Sequence, residues 1–238
     1  MKTIRLLYPQ WQGGDIARWI PEVSDPARAA RGYCLGARLL DLLVPARGQE
    51  TYTVPVTTEP GERRVTDGVL DRDAIAAQTR AALDVLRRAA PDRIVTLGGE
   101  CSVSVVPFTY LSARYGGDLA VVWVDAHPDI TLPGDPYAGF HAMAVTACMG
   151  LGDREIVSAL PARIAPERIL LAGLRDWDPA EIVAAAGTAP DGLRMADVVR
   201  VIGEVAAAKD LVALTVAEPM PRTALRLQEM LSQLPLLQ

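Results

Sequence analysis

The feature that most constrains the fold of this 238-residue chain is the alternation of short apolar runs with helical patterns from end to end. Residues 119–124 read LAVVWV, a continuous apolar run that is typical of a strand buried on both faces. Residues 73–90 carry aliphatic side chains at helical spacing, and Pro91 follows them as a stop signal. Such alternation predicts βαβ units, and therefore an α/β fold with a mostly parallel sheet.

The remaining elements follow from the same patterns. Strands are predicted at 3–7, 52–56, 94–97, 169–172 and 211–216, and helices at 26–43, 195–208 and 223–234. The sequence shows no internal repeat, low-complexity tract or linker. One domain covering 1–238 is therefore expected.

Charge and apolar content narrow the class of protein. The formal net charge is -5, whereas nucleic-acid-binding domains usually carry a basic face, so a nucleic-acid partner is not expected. The apolar run within the first twelve residues is too short for a membrane span or the core of a signal peptide, and no membrane partner is expected. Three cysteines at spacings that match no zinc motif favour a reducing compartment, and the cytoplasm is the predicted location.

The most informative motif is D-A-H-P-D at 125–129, directly after the LAVVWV run. Ligands commonly bind beyond the carboxyl ends of parallel strands. If the chain stays extended, Asp125, His127 and Asp129 project to one side, where their charge needs a compensating cation. A divalent ion of the Mn²⁺, Fe²⁺ or Zn²⁺ type suits this mixed set of donors. The alternative is a turn with a capping aspartate and a surface histidine.

Two further segments contain reactive side chains near strand ends. The strand predicted at 94–97 runs into G-G-E-C-S, in which Cys101 follows a glycine pair that permits close backbone approach. His141, the second of the two histidines, lies in Y-A-G-F-H-A-M at 137–143. A structural histidine is the alternative for His141, and a small buried apolar side chain is the alternative for Cys101.

The order of these motifs resembles that of the arginase–agmatinase (ureohydrolase) family, whose counterparts read G-G-D-H-S, D-A-H-x-D and N-x-H-G-M. G-L-R-D-W-D-P at 173–179 and L-T-V-A-E-P at 214–219 extend the resemblance over most of the chain. The resemblance implies a three-layer αβα fold of arginase type. It also implies hydrolysis of guanidino or related C–N bonds with a pair of Mn²⁺ ions.

Carried over residue by residue, the resemblance implies roles for individual side chains. Asp125, His127 and Asp129 correspond to metal ligands, and Asp129 is also predicted to be catalytic. Cys101 occupies the position of a histidine ligand. His141 corresponds to a histidine thought to shuttle protons. Glu218 corresponds to the carboxylate that faces the guanidinium group, so it is predicted to be catalytic and substrate-binding. The cofactor implied is Mn²⁺, as one or two ions, with Zn²⁺ or Fe²⁺ as alternatives.

The sequence departs from the family pattern in three places. Cys101 replaces a histidine, and Glu100 replaces an aspartate. The D-x-D-x-x-D-P strand of the family is not found between Arg175 and residue 191, so one strand unit is predicted to be missing. Asp176 and Asp178 could stand in for its ligands, but they more simply belong to the G-L-R segment, where Asp178 is predicted to bind substrate.

These observations support three functional hypotheses. The first is a metal-dependent hydrolase of a small guanidino compound, with either full or impaired activity. The alternative is a catalytically inactive arginase-like protein that binds a ligand or a partner. The third is a mononuclear zinc hydrolase that uses Asp125, His127 and Cys101. The resemblance also implies a homo-oligomer, as a trimer or a hexamer.

Overall fold

The larger part of the sheet consists of four parallel strands. The computed structural model describes residues 1–15, 31–44, 46–59, 61–175, 193–218 and 233–235. The four strands are β1 (Thr3–Tyr8), β2 (Glu50–Thr53), β5 (Arg93–Gly98) and β8 (Ala213–Val216). Their order in the sheet is β2-β1-β5-β8, and every pairing between them is parallel. The predicted parallel sheet is therefore confirmed.

A second pair of parallel strands continues the α/β pattern. It is formed by β6 (Val121–Val124) and β7 (Ile169–Ala172), which pair along their whole length. Within the described residues, no ladder of hydrogen bonds joins this pair to the four-stranded sheet. A small antiparallel hairpin, β3 (Val65–Thr66) and β4 (Val69–Leu70), lies apart from both.

Alternate residues of the central strands face two different cores. Ile4 and Leu6 of β1 belong to one apolar cluster, whereas Leu7 belongs to another. Side chains alternate across a strand, so the two clusters lie on opposite faces of the sheet. Helices cover both faces: α1 (Gly32–Leu43), α2 (Arg72–Ala89), α3 (Val105–Arg114), α4 (Ala144–Cys148), α5 (Arg154–Ala159) and α6 (Met195–Ala208). The arrangement is the predicted three-layer αβα fold.

Each layer of helices contributes to one cluster. Ile75, Leu83 and Leu86 of α2 pack with Ile4 and Leu6. Ala37 and Leu40 of α1, with Val199 and Ile202 of α6, pack against Leu7 and the opposite face of β5. Burying an aliphatic side chain of this size contributes roughly 1.5–3 kcal/mol. The amphipathic spacing that predicted these helices therefore also determines which side of each helix meets the sheet.

The element bounds agree with the sequence predictions where the period is clear. The strand at 169–172 and the helix at 195–208 have the predicted bounds, whereas the strand predicted at 52–56 lies at 50–53 and the one predicted from 211 begins at Ala213. Of the helix predicted at 223–234, residues 223–232 lie outside the described part, and Gln233 and Leu234 lie in a turn. No helix in the described segments is long and apolar enough to cross a membrane.

Candidate metal and substrate site

The loops that follow three parallel strands meet at the carboxyl edge of the sheet. Gly99 follows β5, Asp125 follows β6 and Glu218 lies shortly after β8. The backbone N–H of Glu218 donates to the carbonyl of Gly99 at 2.9 Å, and the N–H of Gly99 donates to the carbonyl of Tyr8 at 3.1 Å. This is the edge at which parallel α/β sheets usually bind ligands.

Gly99 is required for this close approach. A Cβ atom added to Gly99 would lie 1.8 Å from the carbonyl oxygen of Gln10. No side chain can be placed at that distance, so the loop after β1 and the loop after β5 touch backbone to backbone. The glycine pair of the G-G-E-C-S motif thus serves the packing of two loops.

Glu100 is a buried structural carboxylate. Its oxygens accept hydrogen bonds from Gln10 Nε2 at 2.7 Å and from both the backbone N–H and the hydroxyl of Ser102 at 2.8 Å. Burial raises the pKa of Glu100, although these hydrogen bonds oppose the rise. Glu100 caps the short 3₁₀ helix Cys101–Ser104 and thereby fixes the position of Cys101.

Cys101, Asp125 and Asp129 form a compact group, which we call the carboxylate–thiol group. One potential ligand atom from each lies within 4.8 Å of the others, and Cys101 Sγ is 3.6 Å from Asp125 Oδ2. Asp129 is only 3% exposed, and its Oδ2 has no hydrogen-bond partner among the described residues. The carboxylate–thiol group therefore combines a buried thiol, a buried carboxylate and a second, partly exposed carboxylate.

The environment shifts the pKa of each member. Burial and the neighbouring carboxylates raise the pKa of the Cys101 thiol well above its ordinary value. Burial and Asp125 raise the pKa of Asp129 well above its usual range. Burial alone would raise the pKa of Asp125, but hydrogen bonds and the charge of His127 hold it below its ordinary value. A divalent cation would relieve the cost of ionising all three groups together.

The chain after β6 turns, which corrects the extended conformation expected from the sequence. Asp125 Oδ1 accepts a hydrogen bond from the backbone N–H of His127 at 2.9 Å, and Asp129 adopts a left-handed φ of 50°. The turn brings Asp129 to Asp125. The His127 ring lies beside Asp125, with Nδ1 3.5 Å from Oδ1, and belongs to neither of the two described groups of potential ligands.

The second group consists of Cys101, His141 and Glu218, whose potential ligand atoms also lie within 4.8 Å of one another. His141 Nδ1 is 3.0 Å from Glu218 Oε1, and Nε2 is 2.6 Å from the hydroxyl of Tyr137. Burial alone would lower the pKa of His141, but Tyr137 and Glu218 together raise it well above its ordinary value. These neighbours therefore favour the protonated form of His141, which has a partner at each ring nitrogen.

Two residues of the site were not singled out from the sequence. Gln10 holds Glu100, and Tyr137 bonds to His141 while accepting a hydrogen bond from the backbone N–H of Asp15 at 3.1 Å. The polar, glycine-containing string Q-W-Q-G-G at 10–14, shortly after β1, is the sequence signal for Gln10.

Asp176 and Asp178 lie outside the described residues, as does the rest of the interval predicted to lack a strand, so those assignments stay predictions.

Comparison with known proteins supports the resemblance seen in the motifs. A family model described as "Arginase family" matches residues 51–200. The arginase of Staphylococcus aureus (strain COL) is 35% identical over 88 residues, which cover 37% of this chain and 29% of that arginase. The match thus spans under a third of the relative's length.

Solved structures extend the similarity to the whole fold. The arginase of Entamoeba histolytica, solved with L-ornithine, superimposes with a TM-score of 0.72 at 16% identity, covering 98% of this chain and 97% of that one. The native arginase of Bacillus caldovelox gives a TM-score of 0.73 at 16% identity, covering 98% and 96%. At such low identity these structures establish that the architecture is arginase-like.

Proposed function

The chain belongs to the arginase family, and from that premise we propose that it is a metal-dependent hydrolase of a C–N bond in a small guanidino compound. The observation that carries the proposal is the position of Cys101 in both groups of the site. This places Glu218, a carboxylate suited to a guanidinium cation, next to the carboxylate–thiol group. The residue that recognises the substrate and the residues that hold the water-activating ion would then be neighbours.

Glu218 is the proposed recognition residue. Its side chain is 32% exposed, so a ligand can reach it from solvent, while its backbone is fixed to Gly99. A carboxylate binds the planar guanidinium group through charge-assisted hydrogen bonds that are roughly twice as strong as neutral ones. Asp178, which lies outside the described residues, is proposed as a second substrate-binding carboxylate.

His141 is the proposed proton donor. Cleavage of a C–N bond requires a proton on the departing nitrogen, since a neutral amine leaves far more readily than its anion. Tyr137 and Glu218 hold His141 in the protonated form that can supply it. Glu218 would thus orient the substrate and the donor together.

Asp125, Asp129 and Cys101 are the proposed metal ligands, and His127 is proposed to assist them from beside Asp125. A divalent ion at that position would supply a water of lowered pKa as the nucleophile. Asp129 would contribute to catalysis only by holding that ion.

An activity screen tests the proposal. The purified protein would be loaded separately with Mn²⁺, Co²⁺, Zn²⁺ and Fe²⁺ and assayed for urea or amine release from arginine, agmatine and other guanidino acids. We expect turnover with at least one pairing, and a lower rate at limiting substrate in Glu218→Gln but not in Glu204→Gln, an exposed control on α6. Absence of turnover with every metal would contradict the proposal.

A non-catalytic binding protein is the second candidate. It is favoured by Cys101 at a position where the family has histidine, and by the separation of the β6–β7 pair from the other described strands. Calorimetry with the same guanidino compounds would then show binding without turnover.

The proposed location is the cytoplasm. The proposed assembly is a trimer or hexamer, and light scattering would measure its mass.

A further inference from the structure

We infer that the carboxylate–thiol group is a site for one thiophilic divalent ion of the Zn²⁺ or Co²⁺ type, with Cys101 as a ligand, in place of a pair of Mn²⁺ ions. The inference rests on the metal dependence proposed above and specifies the ion. It concerns the ligand set Cys101, Asp125 and Asp129.

The geometry and charge of this group point to a cation. Asp129 is buried, and one of its oxygens lacks a hydrogen-bond partner in the described part of the chain. A potential ligand atom of a second carboxylate, Asp125, lies within 4.8 Å of that of Asp129. Within the described part of the chain, Asp125 forms an ion pair with His127, and Asp129 forms none. Burying one carboxylate beside a second, partly exposed one is costly with so little compensation, and one bound dication offsets that cost.

The second group offers no comparable place for another ion. Both ring nitrogens of His141 are engaged, one by Tyr137 and the other by Glu218. A metal at His141 would have to replace one of these two contacts, either the one with Tyr137 or the one with Glu218. Asp129 Oδ2, by contrast, has no hydrogen-bond partner among the described residues that an ion would have to displace.

Cys101 determines the type of ion. Thiolate is a soft ligand that favours Zn²⁺ and similar ions, whereas Mn²⁺ favours carboxylate, carbonyl and water oxygens. Three protein ligands with one open position are the usual arrangement of a catalytic zinc site. The described donors therefore do not fit the pair of Mn²⁺ ions that the family resemblance implies, and they do fit a single thiophilic ion.

Cobalt spectroscopy tests the ligand directly. The chelator-treated, intact chain would be titrated with Co²⁺, and a thiolate-to-cobalt charge-transfer band in the near ultraviolet should grow to an end point of one ion per chain. The band should vanish in Cys101→Ser. It should persist in the matched control Cys148→Ser, because Cys148 is a buried thiol in the apolar core.

A further pair of variants distinguishes the two groups of ligands. Loss of a residue that only supports a metal ligand weakens metal binding by roughly 10–100-fold. Asp129→Asn should weaken Co²⁺ binding by more than this, whereas His141→Asn should leave Co²⁺ binding nearly unchanged. The reverse pattern would assign the ion to His141 and Glu218 and overturn the inference. Thermal melts of each variant would show that the fold is retained.

Metal competition supplies an independent measurement. Oxygen and nitrogen sites also prefer Zn²⁺ to Mn²⁺, so the informative quantity is the change in the Zn²⁺/Mn²⁺ affinity ratio on mutation. This ratio should fall at least about tenfold in Cys101→Ser, which removes the soft ligand. An unchanged ratio, two tightly bound ions per chain, or the absence of the charge-transfer band would each overturn the inference.

Failure of the thiophilic site can be told apart from failure of the proposed function. Turnover of a guanidino compound with Mn²⁺ and no thiolate band would refute the thiophilic site and leave the hydrolase standing. A thiolate band without turnover under any metal would support the site and refute the hydrolase.

Discussion

His141 Nδ1 lies 3.0 Å from Glu218 Oε1, although the two residues are 77 positions apart in the sequence. The contact joins the short 3₁₀ helix Phe140–Met143, just before α4, to the segment after β8. The pair links the proposed proton donor to the proposed guanidinium-binding carboxylate, so a substitution at either residue should affect the other.

Substrate affinity should depend on the charge of Glu218. Charged hydrogen bonds contribute about 1.5–3 kcal/mol, so Glu218→Gln should raise KM for an active guanidino substrate by roughly 10–100-fold. Steady-state kinetics of this variant beside Glu204→Gln provides the measurement. A KM equal to that of the unmodified protein would remove Glu218 from substrate binding.

Stability of the chelator-treated protein should fall as the pH rises above about 6.5, the ordinary pKa of histidine. The folded-state pKa of His141 is raised, so the native state binds more protons than the unfolded state in this range. The stabilisation is fully present below the unfolded pKa and is lost as the pH rises through the folded pKa.

Urea denaturation between about pH 5.5 and 8.5, a range that brackets the ordinary histidine pKa, checks this dependence. The difference in unfolding free energy between the unmodified protein and His141→Asn should shrink as the pH rises. Asp129 also has a raised folded pKa and contributes a slope of the same sign in both proteins. A difference that grows with pH would show that the sign is wrong.

Replacing Asp129 should separate folding from metal binding. An asparagine side chain at this position would lack the charge that repels Asp125, so Asp129→Asn should be more stable than the unmodified protein without metal at neutral pH, by on the order of 1 kcal/mol. With Zn²⁺ at about 100 times its Kd, only the unmodified protein should gain about 2.7 kcal/mol. Denaturation with and without chelator measures both effects, and equal metal stabilisation of the two proteins would exclude Asp129 as a ligand.

Gly99 should tolerate no side chain. Because a Cβ there would lie 1.8 Å from the carbonyl oxygen of Gln10, Gly99→Ala should destabilise the fold by about 1–3 kcal/mol. Gly203 of α6 is a matched control, since no atom of the described residues lies within 4 Å of its Cβ position. Gly203→Ala should stabilise the protein by up to about 1 kcal/mol through helix propensity. Urea midpoints report both changes, and a neutral Gly99→Ala would show that the two loops can separate.

The local pattern of the chain was sufficient to predict its layers. Burial follows a period of two in strands and about 3.6 in helices. The buried faces can therefore be predicted from apolar runs such as residues 119–124 and from the helical spacing of residues 195–208. Motifs that end strands, such as D-A-H-P-D, also identify the edge of the sheet where ligands gather. The family and the region of the candidate site are therefore encoded in short stretches of sequence.

The grouping of side chains within that region depended on the tertiary structure. Alternation along an extended chain placed His127 with Asp125 and Asp129. A turn closed by the Asp125 side chain instead leaves the His127 ring beside Asp125 alone, while Cys101 joins the two aspartates from the loop after β5. Strand order sets which loops become neighbours, and a turn reverses the direction of a side chain within one or two residues. Contacts such as those of His141 with Tyr137 and Glu218 arise from that assembly, and no periodic pattern along the chain records them.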